Sequence, residues 1–176
     1  MFATIYLPNF YLQAAMRHQP KLRTKPVALI DPEQTKVSII QLNDAAEKAG
    51  IRKGMAPSQA LGRCLHVVIK TRERAQENAI DEILLQHAFT LSPQVEATAP
   101  GVCTVQFTDN RHLRAKLSRV IASLAKCDLS AQAGIAPLPD PSLLAAHLAR
   151  PVLQIDDPKK FLGPLPVETL IIGSID

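Results

Sequence analysis

The sequence predicts an α+β fold: a sheet with helices on one face and a small lobe inserted into it. Three observations predict it. Two stretches, 72–88 and 113–124, carry apolar residues at helical spacing. Between them, 94–107 reads as two strands turning at Pro100-Gly101. An apolar strand opens the chain at 2–7, and the segment 19–70 contains its own strands and short helices.

Taken in order, the strand at 2–7 leads into a short helix at about 10–17. "PVALID" (26–31) and "KVSIIQL" (36–42) read as a hairpin-like pair joined by "PEQT". "NDAAEKAG" is a helix with Asn43 as N-cap and Gly50 as its stop. "APSQALGRC" is a second, with Pro57 in its first turn. "HVVIK" (66–70) is a strand. The helix at 72–88 buries Ala75, Ala79, Ile80, Ile83, Leu84 and Ala88 along one stripe. Asp109 is expected to cap the next helix. Its residues Leu113, Leu117, Val120, Ile121 and Leu124 form a core stripe, while Arg111, Arg114, Lys116 and Arg119 make a solvated face. "SAQAGIA" (130–136) is a strand, "SLLAAHLA" (142–149) a helix that packs His147, and "PVLQI" a last strand. The proline-containing tail ends on an apolar run without a partner element and reads as cut off.

Composition narrows the function classes. Hydrophobic residues are 47% of the 176, with 4% aromatic and no Trp, so the core is built from Leu, Ile, Val and Ala. A formal charge of +4 permits contact with nucleic acid without demanding it. Cys64, Cys103 and Cys127 are an odd set without pair spacing. Cys64 and His66 lie close in sequence but lack two further metal ligands, so they read as a buried thiol and a strand-edge histidine. Reduced thiols place the protein in the cytoplasm. Neither a signal peptide nor a membrane-spanning run is expected.

A strand end feeding a helix is a common place for catalytic groups. Yet Phe2 to Met16 contains no Asp, Glu, His, Ser or Cys. Two-metal phosphoryl transfer needs carboxylates converging on ions about 4 Å apart. Within the first strand and the 94–107 hairpin, Glu96 is the one acidic residue. A single carboxylate does not hold two divalent cations.

Five stretches carry a resemblance: "YLPNFYLQAA", "QLNDAAEKAGIRKGMAPSQALGRC", "SPQVEATAPGV", "AGIAPLPDPSLLAAHLARP" and "GPLPVETL". In this order and spacing they resemble the palm and fingers of Y-family, translesion DNA polymerases, and more closely the non-catalytic ImuB-type branch. The resemblance implies a palm of mixed or antiparallel sheet with two long helices on one face, from 1–18 and 71–176, whose end starts a truncated thumb. It implies a fingers lobe at 19–70. Active members begin the junction with Asp-x-Asp; here Leu7 holds the first carboxylate's place and Asn9 that of the next acidic position. Gly101 and Val102 hold the places of the second pair. The implied chain is no enzyme, with no catalytic residue, metal or cofactor. Glu96 matches the Glu before that pair and reads as structural.

On the fingers, Asp44 and Glu47 stand where the family grips triphosphate with Tyr and Arg, and an anion there repels triphosphate. Arg150 takes the place of the last phosphate-binding Lys; it reads equally as a phosphate contact or as a surface Arg ending a helix. The implied role is an accessory scaffold in damage-induced mutagenesis. It would link a sliding clamp, an error-prone polymerase and a RecA-like protein, with DNA held weakly by this stretch. Two other readings stand beside it. One is an active nucleotidyltransferase with Asp31, Asp44, Glu47 or Asp156 moved into the site. The other is a simple DNA-binding module.

Overall fold

The computed structural model describes residues 1–166 and 169. The apolar run that ends the chain, expected to belong to the start of a thumb, lies outside the described residues. The chain divides into two compact units: Met1–Pro8 with Asp81–Asp176, and Asn9–Ile80.

The first unit is built on a five-stranded mixed sheet. Its strands are β1 (Phe2–Tyr6), β5 (Val95–Ala99), β6 (Val102–Gln106), β7 (Gln132–Ala136) and β8 (Val152–Gln154), in the order β5-β6-β1-β7-β8. β1 is central and runs antiparallel to both neighbours, with Tyr6 opposite Val102 on one side and Gln132 on the other. β7 and β8 are parallel. Asp81–Phe89 of the long helix α4 (Arg74–Phe89), the long helix α5 (Leu113–Lys126) and the helix α6 (Pro139–Leu148) complete the layers.

Alternation of side chains assigns the faces. Thr4 and Gly134 point to α6: Thr4 Oγ1 lies 2.7 Å from Ser142 Oγ, and a Cβ on Gly134 would meet the Ser142 carbonyl oxygen at 2.1 Å. Ala3, Ile5, Cys103, Val105 and Ile135 point the other way and are fully buried. Helix α5 packs on β7 and β8, with Leu113, Leu117, Val120 and Leu124 buried, and Leu84 and Ala88 of α4 are buried as well. His87 of α4 and Ser123 of α5 hydrogen-bond side by side at 3.0 Å. The two long helices thus share one face, as the sequence predicts, and α6 adds a layer on the other.

Helix α5 starts later than its expected cap. Asp109 instead accepts hydrogen bonds from the Arg111 backbone and guanidinium, which holds its carboxyl below the usual range, and left-handed His112 precedes Leu113. Helix α6 starts earlier, at Pro139, whose missing N–H costs nothing in a first turn.

The second unit has the three-stranded sheet β3-β2-β4, with β2 (Val27–Ile30), β3 (Ile39–Leu42) and β4 (Val68–Thr71). β2 and β3 are antiparallel as expected, and β4 is parallel to β2. β2 is buried on both faces, so it reads as an unbroken apolar run. Ala28 joins Ala46 of α2 (Asp44–Lys48) and Ala60 of α3 (Pro57–Arg63). Val27 and Leu29 join Leu12 and Ala15 of α1 (Phe10–Met16).

The compact units divide after Pro8 and Ile80, where the sequence reading places the boundaries at 18 and 71. α1 belongs to the second unit because its apolar side covers β2 and its Leu12 N–H donates to Gln41 Oε1 at 2.9 Å. Residues 71–80 belong there because Arg72 donates to Glu77 at 2.9 and 2.6 Å and to Asp31 at 3.3 Å, its guanidinium 3.8 Å over the Tyr11 ring.

Gly134→Ala is expected to destabilise the first unit by about 3 kcal/mol or more, since the added methyl would overlap backbone atoms of α6 that have no room to retreat. Urea unfolding followed by circular dichroism measures it, and a loss under about 1 kcal/mol would show that α6 shifts freely.

Candidate functional site

The chemistry expected at the end of β1 turns on Leu7, Asn9, Gly101 and Val102. Leu7 N–H donates to the Gly101 carbonyl at 2.9 Å, and Val102 pairs with Tyr6. Leu7, Gly101 and Val102 therefore meet at one end of the sheet. Leu7 continues the row Ala3–Ile5–Leu7 on the side of the long helices and is completely buried. Gly101 has φ 71°, a left-handed turn position that suits glycine. Asn9, also left-handed at φ 50°, belongs to the second unit, where its carbonyl accepts from Gln13 N–H.

Sequence reasoning missed Asp81. It sits on α4, twenty residues before the turn, and its carboxylate accepts from Gly101 N–H at 2.8 Å. Its spacing from Leu84, Leu85 and Ala88 was the available signal, since it falls beside the apolar stripe. With Leu84, Leu85, Ala97, Ala99 and Val102 it lines a cavity of about 270 Å³. Under the turn, burial pushes the Cys103 thiol up to about 12, with a hydrogen bond to the Ile5 backbone opposing the rise and the nearby Asp81 adding to it.

Other expected residues are dispersed. Glu96 pairs with Thr104, level with Thr4, on the exposed edge strand. It is thus about 10 Å from β1 across two strand spacings, and about 10 Å along the strands from Leu7. Asp156 follows β8, whose Gln154 pairs with Ile135, so it lies at the Phe2 end, opposite to Leu7. It accepts from Gln154 Nε2 at 3.0 Å. Asp31 is occupied by Arg72. Asp44 and Glu47 are exposed in the first turn of α2, where a helix dipole favours negative charge. Cys64 is half-buried against Ile51 and its neighbours rather than fully buried. His66 is exposed and precedes β4 rather than edging it.

Two metal ions do not fit the four positions, which supply a buried leucine, an asparagine, a glycine and a valine. Among the described residues, no group of three or more His, Cys, Asp or Glu is placed to hold a metal ion.

Arg150 is at the Leu7 end. Ala133 pairs with Val152 and its N–H donates to the Pro151 carbonyl at 2.8 Å, so Arg150 lies two strand spacings from Leu7, on the same sheet end. It is exposed. Nearby, the His147 ring packs on Tyr6 with centroids 4.0 Å apart, the packing role its sequence predicts.

Residues 5–148 match the impB/mucB/samB family. The chain belongs to that family. It is a Y-family polymerase region, with the fold of those enzymes. DNA polymerase IV of Pectobacterium atrosepticum is 26% identical over 174 residues, covering 92% of this chain and 48% of that protein. DNA polymerase IV of Francisella tularensis subsp. novicida is 21% identical over 181 residues, covering 97% and 52%. The insertion ternary complex of Dbh DNA polymerase superposes with a TM-score of 0.83 at 15% identity, over 96% of this chain and 53% of that one. DinB from Sulfolobus solfataricus superposes with a TM-score of 0.80 at 15% identity, over 96% and 52%. The chain spans about half the length of the curated relatives it matches.

These relatives overturn the expectation that the chain is no enzyme: they are named as DNA polymerases, which points to an enzyme. Leu7, Asn9, Gly101 and Val102 carry no side-chain carboxylate. No helix among the described residues is long and apolar enough to cross a membrane.

Burial raises the Cys103 pKa and keeps the group a thiol at pH 8. Iodoacetamide is expected to label the half-buried Cys64 and Cys127 first and Cys103 only after denaturation. Peptide mass spectrometry reads this; prompt Cys103 labelling in the native protein would contradict the close packing of β6.

Proposed function

We propose that this chain serves translesion DNA synthesis as a Y-family palm and fingers, the sheet of Met1–Pro8 and Asp81–Asp176 as palm and Asn9–Ile80 as fingers. The match over residues 5–148 carries this reading. In its finer form the chain works in the ImuB manner, in the cytoplasm, as an accessory that connects DNA with a sliding clamp, an error-prone polymerase and a RecA-like protein. The shared sequence stretches support that part. Arg150, exposed at the junction end of the sheet, is the residue we assign to a phosphate of nucleotide or DNA.

The test is genetic. Deleting the gene is expected to lower damage-induced mutation frequency after ultraviolet light, with the wild-type gene restoring it. Unchanged frequencies would overturn the reading. Primer extension by the full-length gene product with Mg²⁺ or Mn²⁺ then separates synthesis by this chain from synthesis through a partner, and the tagged protein is expected to recover the clamp. Arg150→Ala is expected to weaken primer–template or nucleotide binding about 10-fold, read by fluorescence anisotropy. Unaltered binding would leave Arg150 as a surface residue ending α6.

A further inference from the structure

The formal charge of the chain is unevenly divided. Residues 9–80 contain twelve Lys and Arg against six Asp and Glu, a formal +6, whereas the other unit has eight against ten, a formal −2. Within residues 9–80, four of the acids are already paired: Asp31 and Glu77 with Arg72, Glu33 with Arg74, Glu73 with Lys70. The surplus cations are densest at 17–25, "RHQPKLRTK", where Arg17, Lys21, Arg23 and Lys25 occur with no acid.

Backbone turns and packing shape this strip. Successive tight turns run through it: Gln19 N–H to Met16 O, Leu22 N–H to Gln19 O, Arg23 N–H to Pro20 O and Lys25 N–H to Leu22 O. Leu22 packs inward on the cluster of Leu12, Ala15, Val27 and Leu29. Lys70 Nζ donates to Gln19 Oε1 at 3.4 Å at one end, and Asn43 Nδ2 to the Lys25 carbonyl at 2.8 Å at the other. Lys21, Arg23 and Lys25 are exposed, and Lys21 and Lys25 make no ion pair among the described residues. Arg17 Nε is shielded from solvent and has no hydrogen-bond partner among the described residues.

We propose that the strip Arg17–Lys25 is a docking surface for the phosphate backbone of DNA, a contact separate from the junction at Leu7. The proposal rests on the reading that this chain handles DNA. A pre-ordered row of cations loses little side-chain and loop entropy when it meets a regular polyanion. Phosphate contacts position a duplex without reading its sequence, and they suit the exposed, alternating cations found here.

The full-length gene product and its K21Q/R23Q/K25Q variant are titrated against a labelled primer–template over a range of salt. Three lost contacts lower the salt slope by about 2.7 and the affinity on the order of 10²-fold at about 0.1 M salt. The variant R114Q/R119Q/K126Q removes equal charge from α5 and is expected to bind as the wild type does. Matching loss in both variants overturns the strip in favour of net charge alone, and undiminished binding by the strip variant overturns it outright. Polyglutamate that displaces DNA charge for charge assigns the strip to an acidic protein and likewise overturns it. A wild type that fails to hold DNA even at low salt sinks the underlying DNA reading instead, so the two failures are distinct. Unchanged melting of each variant shows that the fold is kept.

Discussion

The close approach of α6 to the central sheet at Gly134 organises the first unit. A side chain there would overlap the Ser142 carbonyl oxygen and the Ala146 nitrogen, at 2.1 and 2.3 Å from an ideal Cβ. Bare backbone therefore lets the helix settle onto β1 and β7. Buried hydroxyls then link the layers. Ser142 Oγ–H donates to the Pro139 carbonyl at 2.6 Å, which spends its one proton. Thr4 must then donate to Ser142, Thr104 to Thr4, and Thr98 to Thr104, at 2.7, 3.3 and 2.8 Å. A carbonyl thus sets the direction of a chain of hydrogen bonds across three strands and a helix. His147 reaches Tyr6, and Arg150 its place at the Leu7 end, because α6 is seated this way.

The second unit solves a different problem, that of stabilising about seventy residues around a three-stranded sheet. It buries β2 on both sides and ties the connections with two polar residues. Asn43 accepts from Val27 N–H and Ala46 N–H, both at 3.0 Å, and donates to the Lys25 carbonyl. One side chain thus caps α2 and fixes the entry to β2. Arg72 gathers Asp31, Glu77 and the Tyr11 ring at the exit of β4. Removing one partner from such a half-buried group is costly because it strands the others.

At the junction, the chemistry follows from side-chain alternation. Leu7 lies in the inward row with Ala3 and Ile5, so it is a core residue as well as the end of a strand. Gly101 offers backbone only, its N–H taken by Asp81 and its carbonyl by Leu7. The relatives are named as DNA polymerases, while these side chains supply no carboxylate.

By itself the sequence determined the apolar stripe of α5 and, from Ile80 onward, that of α4, although Ala75 is exposed and Glu77 is buried instead; it also determined the 94–107 hairpin, the Asn43 cap and the lack of acids at Leu7, Asn9, Gly101 and Val102. Local periodicity and turn chemistry carry these, and a residue's identity needs no structure to be read. Tertiary structure alone decided that α1 packs on β2, that Asp81 reaches Gly101, and that Asp156 and Arg150 lie at opposite ends of one sheet. These depend on strand order and register between segments up to a hundred residues apart. No spacing within a single window encodes such pairings.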